Sequence, residues 1–175
     1  MTRYHPALVI LHWLLAVLII VALIAGKLIL DATPNSDPAK LFSLRAHMSI
    51  GLAVLVLMVL RVVIRWRSAA PPPADAGHPA LNLTARLAHP ALYLLIFGMV
   101  FSGIAISAAA GLPGIVFGGT GAPLPETFDS YAARGVHGAL SGLLIALVAL
   151  HVAAALWHQF IRRDGLMGRM RPGRR

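Results

Sequence analysis

The 175-residue sequence contains no cysteine and few charged residues. Without cysteine the chain cannot form disulfides, thiolate metal sites, iron–sulfur clusters or the covalent attachment of a c-type haem. Charged residues make up 12% of the chain, against about 25% in typical soluble domains. Hydrophobic residues make up 58%, and the mean hydropathy is +0.79. The composition therefore argues against an ordinary soluble domain and favours a small integral membrane protein.

The apolar residues form four long blocks, which predict four membrane-spanning helices. A helix needs about 20 residues to cross a hydrocarbon core about 30 Å thick. In lipid the backbone must satisfy its own hydrogen bonds, so we expect helices rather than strands. The predicted fold class is all-α, a transmembrane four-helix bundle forming one domain over residues 1–175. The blocks cover residues 7–30, 44–64, 87–110 and 136–161.

Segments rich in proline or glycine separate the blocks and predict loops at residues 31–40, 67–82 and 111–130. The third is moderately apolar, so we expect its middle to enter the membrane interface or to cover another part of the protein. The first block is longer than the hydrophobic region of a signal peptide and lacks a convincing cleavage site, so we expect it to be retained. The tail "RRDGLMGRMRPGRR" predicts a solvated basic anchor at the lipid headgroups.

The formal charge of +9 comes from basic residues at the ends of apolar blocks, which favours contact with the lipid bilayer over nucleic-acid binding. With both termini on one side, eleven of the fifteen lysines and arginines lie on that side. The positive-inside rule then predicts that both termini are cytoplasmic. The basic residues predicted on the opposite side are Lys27, Lys40, Arg45 and Arg134.

Six of the eight histidines lie in or near the apolar blocks, where ionisable residues are functional candidates. His137 and His151 are fourteen residues apart, about 21 Å along a helix and on nearly the same face. Depth relative to flanking arginines pairs His47 with His137 near one surface and His12 with His151 near the other. A single such histidine could simply form an interhelical hydrogen bond, but pairs of histidines at matched depths are typical of a cofactor site. The six are His12, His47, His89, His137, His151 and His158.

Two facing imidazoles in a helical bundle can bind the iron of a planar porphyrin from both sides. Without cysteine the haem would be b-type, and with both axial positions occupied it would transfer electrons rather than bind O₂. Gly51, Gly138 and Gly142 would either make room for the porphyrin or allow close helix packing, and both readings stay open. His5 and His78 lie outside the blocks, where we expect solvated or interfacial side chains.

Four segments carry a resemblance to bacterial cytochrome b561: "LHWLLAVLIIVALIAG", "RAHMSIGLAVLVLMVLRVVIRWR", "LAHPALYLLIFGMVFSG" and "GVHGALSGLLIALVALHVAAALWHQF". The resemblance covers essentially the whole chain, including "MGRMRP". It implies two haem b groups in the core of the bundle, with His12 and His151 as iron ligands of one and His47 and His137 of the other. These are the same pairs that helix depth indicates.

The resemblance also implies a function in the bacterial inner membrane. The type that this chain is most similar to is a superoxide oxidase, which oxidises superoxide to O₂ at the periplasmic face and reduces ubiquinone near the cytoplasmic face. The alternative is a cytochrome b subunit that carries electrons between a partner dehydrogenase or hydrogenase and the quinone pool. A haem-free transporter or membrane anchor is a third possibility.

Other polar residues provide candidate contacts at each face. Arg45 and Arg134 flank the outer histidines, where they would bind haem propionates or, with Lys27 and Lys40, attract superoxide. At the inner face His158 is the best candidate for a quinone contact, with His89 and Arg86 as neighbours. His89 precedes Pro90 and could instead bond to the backbone. The tryptophans near the inner boundary, Trp13, Trp66 and Trp157, are expected to be interfacial anchors.

Overall fold

A computed structural model describes residues 3–171, which form an all-helical protein with four long helices. Each is long and apolar enough to cross a membrane, which confirms the predicted all-α class with four spanning helices. Single π-helical turns, Gly26–Leu30 and Trp157–Arg162, extend the first and the last of them. In chain order the helices are α1 (Pro6–Ala25), α2 (Ala39–Arg67), α3 (Pro79–Ala109), a short α4 (Leu112–Val116) and α5 (Ala132–Leu156), before a final 3₁₀ turn (Leu166–Met170).

Three of the long helices begin at least four residues earlier than the apolar blocks that predicted them. They start at Ala39, Pro79 and Ala132, whereas the blocks start at residues 44, 87 and 136. The first turns of these helices are polar or mixed, so an apolar window does not detect them. The loops predicted at residues 31–40 and 67–82 are correspondingly shorter.

His5 and His78 cap the helices α1 and α3. In each case Nδ1 accepts a hydrogen bond, 3.2 Å long, from the backbone N–H two residues further on, at Ala7 and Ala80. A proline follows each histidine at the first helical position, where its missing N–H is not needed. The cap satisfies one of the backbone donors that a helix start leaves unpaired. The expectation of merely solvated or interfacial side chains was therefore incomplete.

The four long helices pack as two pairs, α1 along α2 and α3 along α5, with a further contact between α2 and α3. Within residues 3–171, the close backbone approach along each of these pairs is not found between α5 and α1 or α2. A buried apolar cluster joins all four helices through Leu15, Val54, Met58, Ile96 and Leu144. On α5, Leu144 lies midway between His137 and His151, so this cluster forms an apolar layer between the two ends of the bundle.

One end of the bundle, here called the loop face, consists of the connections before α2 and before α5. Leu112 and Val116 of α4 pack against Leu44 of α2. Arg45 ties α4 in place, because its Nε and Nη2 both donate to Val116 O, at 3.0 and 2.7 Å. The buried Lys40 donates from Nζ to two backbone carbonyl groups of the first connection. The apolar segment after α3 thus covers another part of the protein, the start of α2.

The opposite end, here called the terminal face, carries both ends of the described chain. Tyr4 N donates to Arg169 O (3.3 Å), and Trp13 Nε1 donates to Met170 O (2.9 Å). Arg169 Nη1 donates to Pro72 O at 2.6 Å. The described part of the tail is bonded to α1 and to the loop before α3, while Arg162, Arg163 and Arg171 are exposed. The predicted role of the tail as a basic anchor at the lipid headgroups stays a prediction. Arg174 and Arg175 lie outside the described residues.

Candidate functional site

His47 of α2 and His137 of α5 face each other near the loop face and are called the loop-face pair. Their ring centres are 6.3 Å apart, and the ring planes are inclined by 71°. His137 Nδ1 lies 2.9 Å from Ser102 Oγ on α3, and the Ser102 hydroxyl donates its proton to Met99 O. A hydroxyl has one proton, so Ser102 must accept from His137. Nδ1 therefore carries the proton, and Nε2 keeps the lone pair that a metal needs.

Each ring of the loop-face pair packs against a glycine of a neighbouring helical segment. A Cβ added at Gly103 would lie 3.3 Å from His137 Cε1 and 3.7 Å from its Nδ1. A Cβ at Gly26 would lie 3.4 Å from His47 Cε1 and 3.8 Å from its Nδ1. His47 Nδ1 is buried and has no hydrogen-bond partner among residues 3–171. The two glycines thus face the Nδ1 edge of each ring, and Nε2 is the nitrogen that remains for a ligand.

The glycines that the sequence singled out behave differently. A Cβ at Gly51 or Gly142 would meet no atom within 4 Å, and one at Gly138 would meet only Arg134 Nη1, at 3.9 Å. Close helix packing is therefore the wrong reading for Gly51 and Gly142. Sequence reasoning missed Gly26 and Gly103 because neither lies on the same helix as the histidine that it supports.

The terminal-face pair consists of His12 on α1 and His151 on α5. Their ring centres are 6.1 Å apart, with the planes inclined by 70°. His89 of α3 lies beside them, with its ring centre 5.9 Å from that of His151. Its Nδ1 is 2.9 Å from Ala85 O and donates to that carbonyl. His89 was a candidate quinone contact with a backbone bond as the alternative. The structure shows the backbone bond at Nδ1, and a quinone contact through Nε2 stays a prediction.

The spacing within both pairs fits one metal between two imidazoles. With a nitrogen–metal bond of about 2.0 Å and about 1.1 Å from nitrogen to ring centre, opposed imidazoles have ring centres about 6.2 Å apart. The observed separations are 6.1 and 6.3 Å. Residues 3–171 hold no group of three or more side chains suited to a bare metal ion. A metal held by two imidazoles here would need its other ligands from a macrocycle such as a porphyrin.

Helix packing distinguishes these pairs from the third close contact, between His89 and His151. A porphyrin needs a slot between the helices that supply its ligands. α3 packs directly along α5, so no slot separates His89 from His151. The loop-face pair and the terminal-face pair each join α5 to a helix that does not pack along it in the described chain. The residues present therefore fit two haem groups lying between the α1–α2 and α3–α5 layers.

The basic residues of the loop face have partners that the sequence did not reveal. Arg134 Nη2 is 2.7 Å from Asp31 Oδ1, and Lys27 Nζ is 3.1 Å from Asp31 Oδ2. Partial burial raises the pKa of Asp31, but the Lys27 hydrogen bond and the Arg134 charge outweigh it, so this pKa lies below its usual value. Lys27 keeps 67% of its side chain exposed. Arg134 Nη1 extends towards Gly138, next to His137.

His158 and Asp164 form a close pair at the terminal face. His158 Nδ1 lies 2.5 Å from Asp164 Oδ2, and Arg162 Nε lies 3.7 Å from the same oxygen. Partial burial raises the pKa of Asp164, but hydrogen bonds from His158 and from Leu166 N outweigh it, so the pKa is lowered. The sequence analysis named His158 but missed Asp164, because a π-helical turn and a left-handed Arg163 (φ 53°) reverse the chain between them. Arg86 is exposed on α3.

Comparison with known proteins decides the family. The model of the family described as prokaryotic cytochrome b561 matches residues 3–173. The chain belongs to the prokaryotic cytochrome b561 family. This cytochrome b561 is 34% identical to cytochrome b561 homolog 2 of Escherichia coli strain K12, over 96% of the chain and 90% of that protein.

Two other relatives match along all or nearly all of their length. The probable superoxide oxidase CybB of Yersinia pestis is 29% identical over 99% of this cytochrome b561 and 98% of the relative. Cytochrome b561 homolog 1 of E. coli strain K12 is 28% identical over the full length of both chains. The resemblance found in the sequence is confirmed. The protein is a prokaryotic membrane cytochrome for electron transport, and its family implies b-type haem.

Proposed function

We propose that this cytochrome b561 binds two haem b groups, one between His47 and His137 and one between His12 and His151. The observation that carries the proposal is the pair of matched imidazole separations, 6.3 and 6.1 Å, at two levels of one bundle. Bound haem b supplies a reversible one-electron couple. The four histidines would hold the two haem groups, two histidines to each.

We further propose the activity of a superoxide oxidase in the bacterial inner membrane. The reaction is 2 O₂•⁻ + ubiquinone + 2 H⁺ → 2 O₂ + ubiquinol, with two one-electron oxidations at the loop face and one two-electron reduction at the terminal face. Similarity to the probable superoxide oxidase of Y. pestis over nearly the whole chain supports it. The excess of basic residues at the terminal face supports a cytoplasmic location for both termini, which makes the loop face periplasmic.

At the loop face the proposed role of the basic residues is to attract and orient anions. Lys27 is largely exposed and adds positive potential for superoxide, although Asp31 offsets part of it. Arg134 places Nη1 beside the loop-face pair, which suits a haem propionate. Arg45 donates two hydrogen bonds to Val116 O, so it would attract anions mainly through the electrostatic potential of its positive charge.

At the terminal face we propose that His158 contacts the quinone. Its ring follows His151 by seven residues, about 10 Å along the helix. Asp164 accepts a hydrogen bond from Nδ1 of His158, and when the ring is protonated its Nε2–H would donate to an external acceptor such as a quinone carbonyl. The exposed Asp164 carboxylate connects that ring to cytoplasmic water, from which the two protons come. His89 and Arg86 complete the proposed site on α3.

The decisive test is anaerobic quinone reduction by the purified protein with a superoxide source. We expect a b-type absorbance spectrum with two haems per chain, and quinol formation without any partner protein. His158→Ala should slow quinol formation while both haems remain bound and reducible by superoxide. A protein that holds both haems but reduces quinone only when a dehydrogenase or hydrogenase is added would be a carrier subunit. A colourless protein would refute the haem proposal.

A further inference from the structure

Arg61 is a charged residue inside a membrane-spanning helix, and its side chain links three helices. It lies six residues before the end of α2 and is half-buried. Its Nε donates to Tyr93 Oη on α3 at 2.9 Å, and its Nη1 donates to Leu8 O on α1 at 2.7 Å. The sequence analysis counted Arg61 among the basic residues of the terminal face. The structure instead places its guanidinium group between helices.

Both partners of Arg61 are neutral. Within residues 3–171 no carboxylate forms an ion pair with Arg61. All six acidic residues of the sequence lie outside the four spans, so the spans themselves provide no counter-charge. Nη2 makes no hydrogen bond to any other described residue. A cation inside a span without a counter-charge is costly, which marks it as a functional candidate.

The guanidinium group of Arg61 lies at the level of the terminal-face pair. Leu8 precedes His12 by one helical turn on α1, and Tyr93 follows His89 by one turn on α3. The titratable side chains at this level are therefore His12, His89, His151 and Tyr93. Arg61 is the cation that bonds between helices there, and Arg86, three residues before His89, is exposed on α3. The positive charge is thus held within about one or two helical turns, about 5–11 Å, of the terminal-face imidazoles.

We propose that Arg61 is a fixed cation that raises the reduction potential of the haem at the terminal-face pair. The inference rests on the proposed binding of haem between His12 and His151. Reduction adds one electron, and a nearby positive charge favours the reduced form. At about 10 Å and an effective dielectric constant of about 20, one unit charge changes a one-electron equilibrium by about tenfold or more. A tenfold change corresponds to about 59 mV for one electron.

A purely structural role would give different results, because the two hydrogen bonds and the charge of Arg61 can be changed separately. Arg61→Lys keeps the charge but loses the planar fork that reaches Tyr93 and Leu8 together. Arg61→Gln removes the charge and keeps a donor. Tyr93→Phe removes one hydrogen bond and leaves the charge. Arg65→Gln is the matched control, since it removes an exposed arginine one turn nearer the terminal face on the same helix.

The experiment is potentiometric titration of both haems in each purified variant. The couple that His151→Ala abolishes identifies the terminal-face haem. We expect Arg61→Gln to lower the midpoint potential of this haem by about 59 mV, which makes its reduction about tenfold less favourable. The other couple should change much less. Both midpoint potentials should stay near their native values in the variants Arg61→Lys, Tyr93→Phe and Arg65→Gln.

Other outcomes also decide the matter. Unchanged couples in a folded Arg61→Gln protein with both haems overturn the inference but leave the proposed function intact. Loss of the terminal-face haem from Arg61→Gln but not from Arg61→Lys supports a requirement for the charge. Loss of the terminal-face haem from both variants would show that Arg61 only holds the helices together, and would overturn the inference. A wild-type protein without two haems refutes the proposed function and this inference together.

Discussion

Gly103→Ala should weaken haem binding at the loop-face pair and leave the terminal-face pair unaffected. The new Cβ would lie 3.3 Å from His137 Cε1, whereas carbon atoms in favourable contact are about 3.5–4.0 Å apart. The imidazole must therefore shift by a few tenths of an ångström, against its bond to Ser102. Holding a side chain off its preferred rotamer costs about 0.5–1.5 kcal/mol. That cost corresponds to about 2- to 12-fold weaker haem binding.

Gly135→Ala is the matched control, because an added Cβ there would meet no atom within 4 Å, and Gly135 is not among the glycines predicted to make room for a porphyrin. Gly103 and Gly135 both lie inside helices, where alanine is favoured by up to about 1 kcal/mol. Neither variant should therefore lose helical stability, and only Gly103→Ala should lose haem affinity. The measurement is titration of haem b into the haem-depleted protein in detergent, followed by absorbance. Equal affinities for the two variants at the loop-face pair would refute the role assigned to Gly103.

Three further changes test single contacts of the site. Ser102→Ala removes the acceptor of His137 Nδ1 and should weaken haem binding at the loop-face pair by about 10- to 100-fold, measured by the same titration. His89→Ala should leave two haems per chain, and loss of a haem would show that His89 is a ligand. Asp31→Asn should reduce unfolding stability at neutral pH by less than about 1 kcal/mol after solvent screening. Because the pKa of Asp31 is lowered in the folded state, this difference should vanish as the pH of the thermal melts falls below its usual carboxyl pKa, about 3.9.

The sequence predicted the features that depend on one helix at a time. Four apolar blocks were enough for four spans, since length and hydropathy decide whether a segment can cross a bilayer. The fourteen residues between His137 and His151 placed both rings on one face of α5. Flanking arginines fixed the depth of His12 and His47, and the structure brings each of these rings within 6.3 Å of the expected partner.

The features that the sequence did not predict depend on how helices meet. Gly26 and Gly103 back histidines of other helices, and Ser102 reaches His137 across the α3–α5 contact. Asp164 reaches His158 only because the chain reverses direction after the π-helical turn. Apolar periodicity carries no information on such contacts, because they are set by the rotation of each helix about its axis and by local changes in helical pitch.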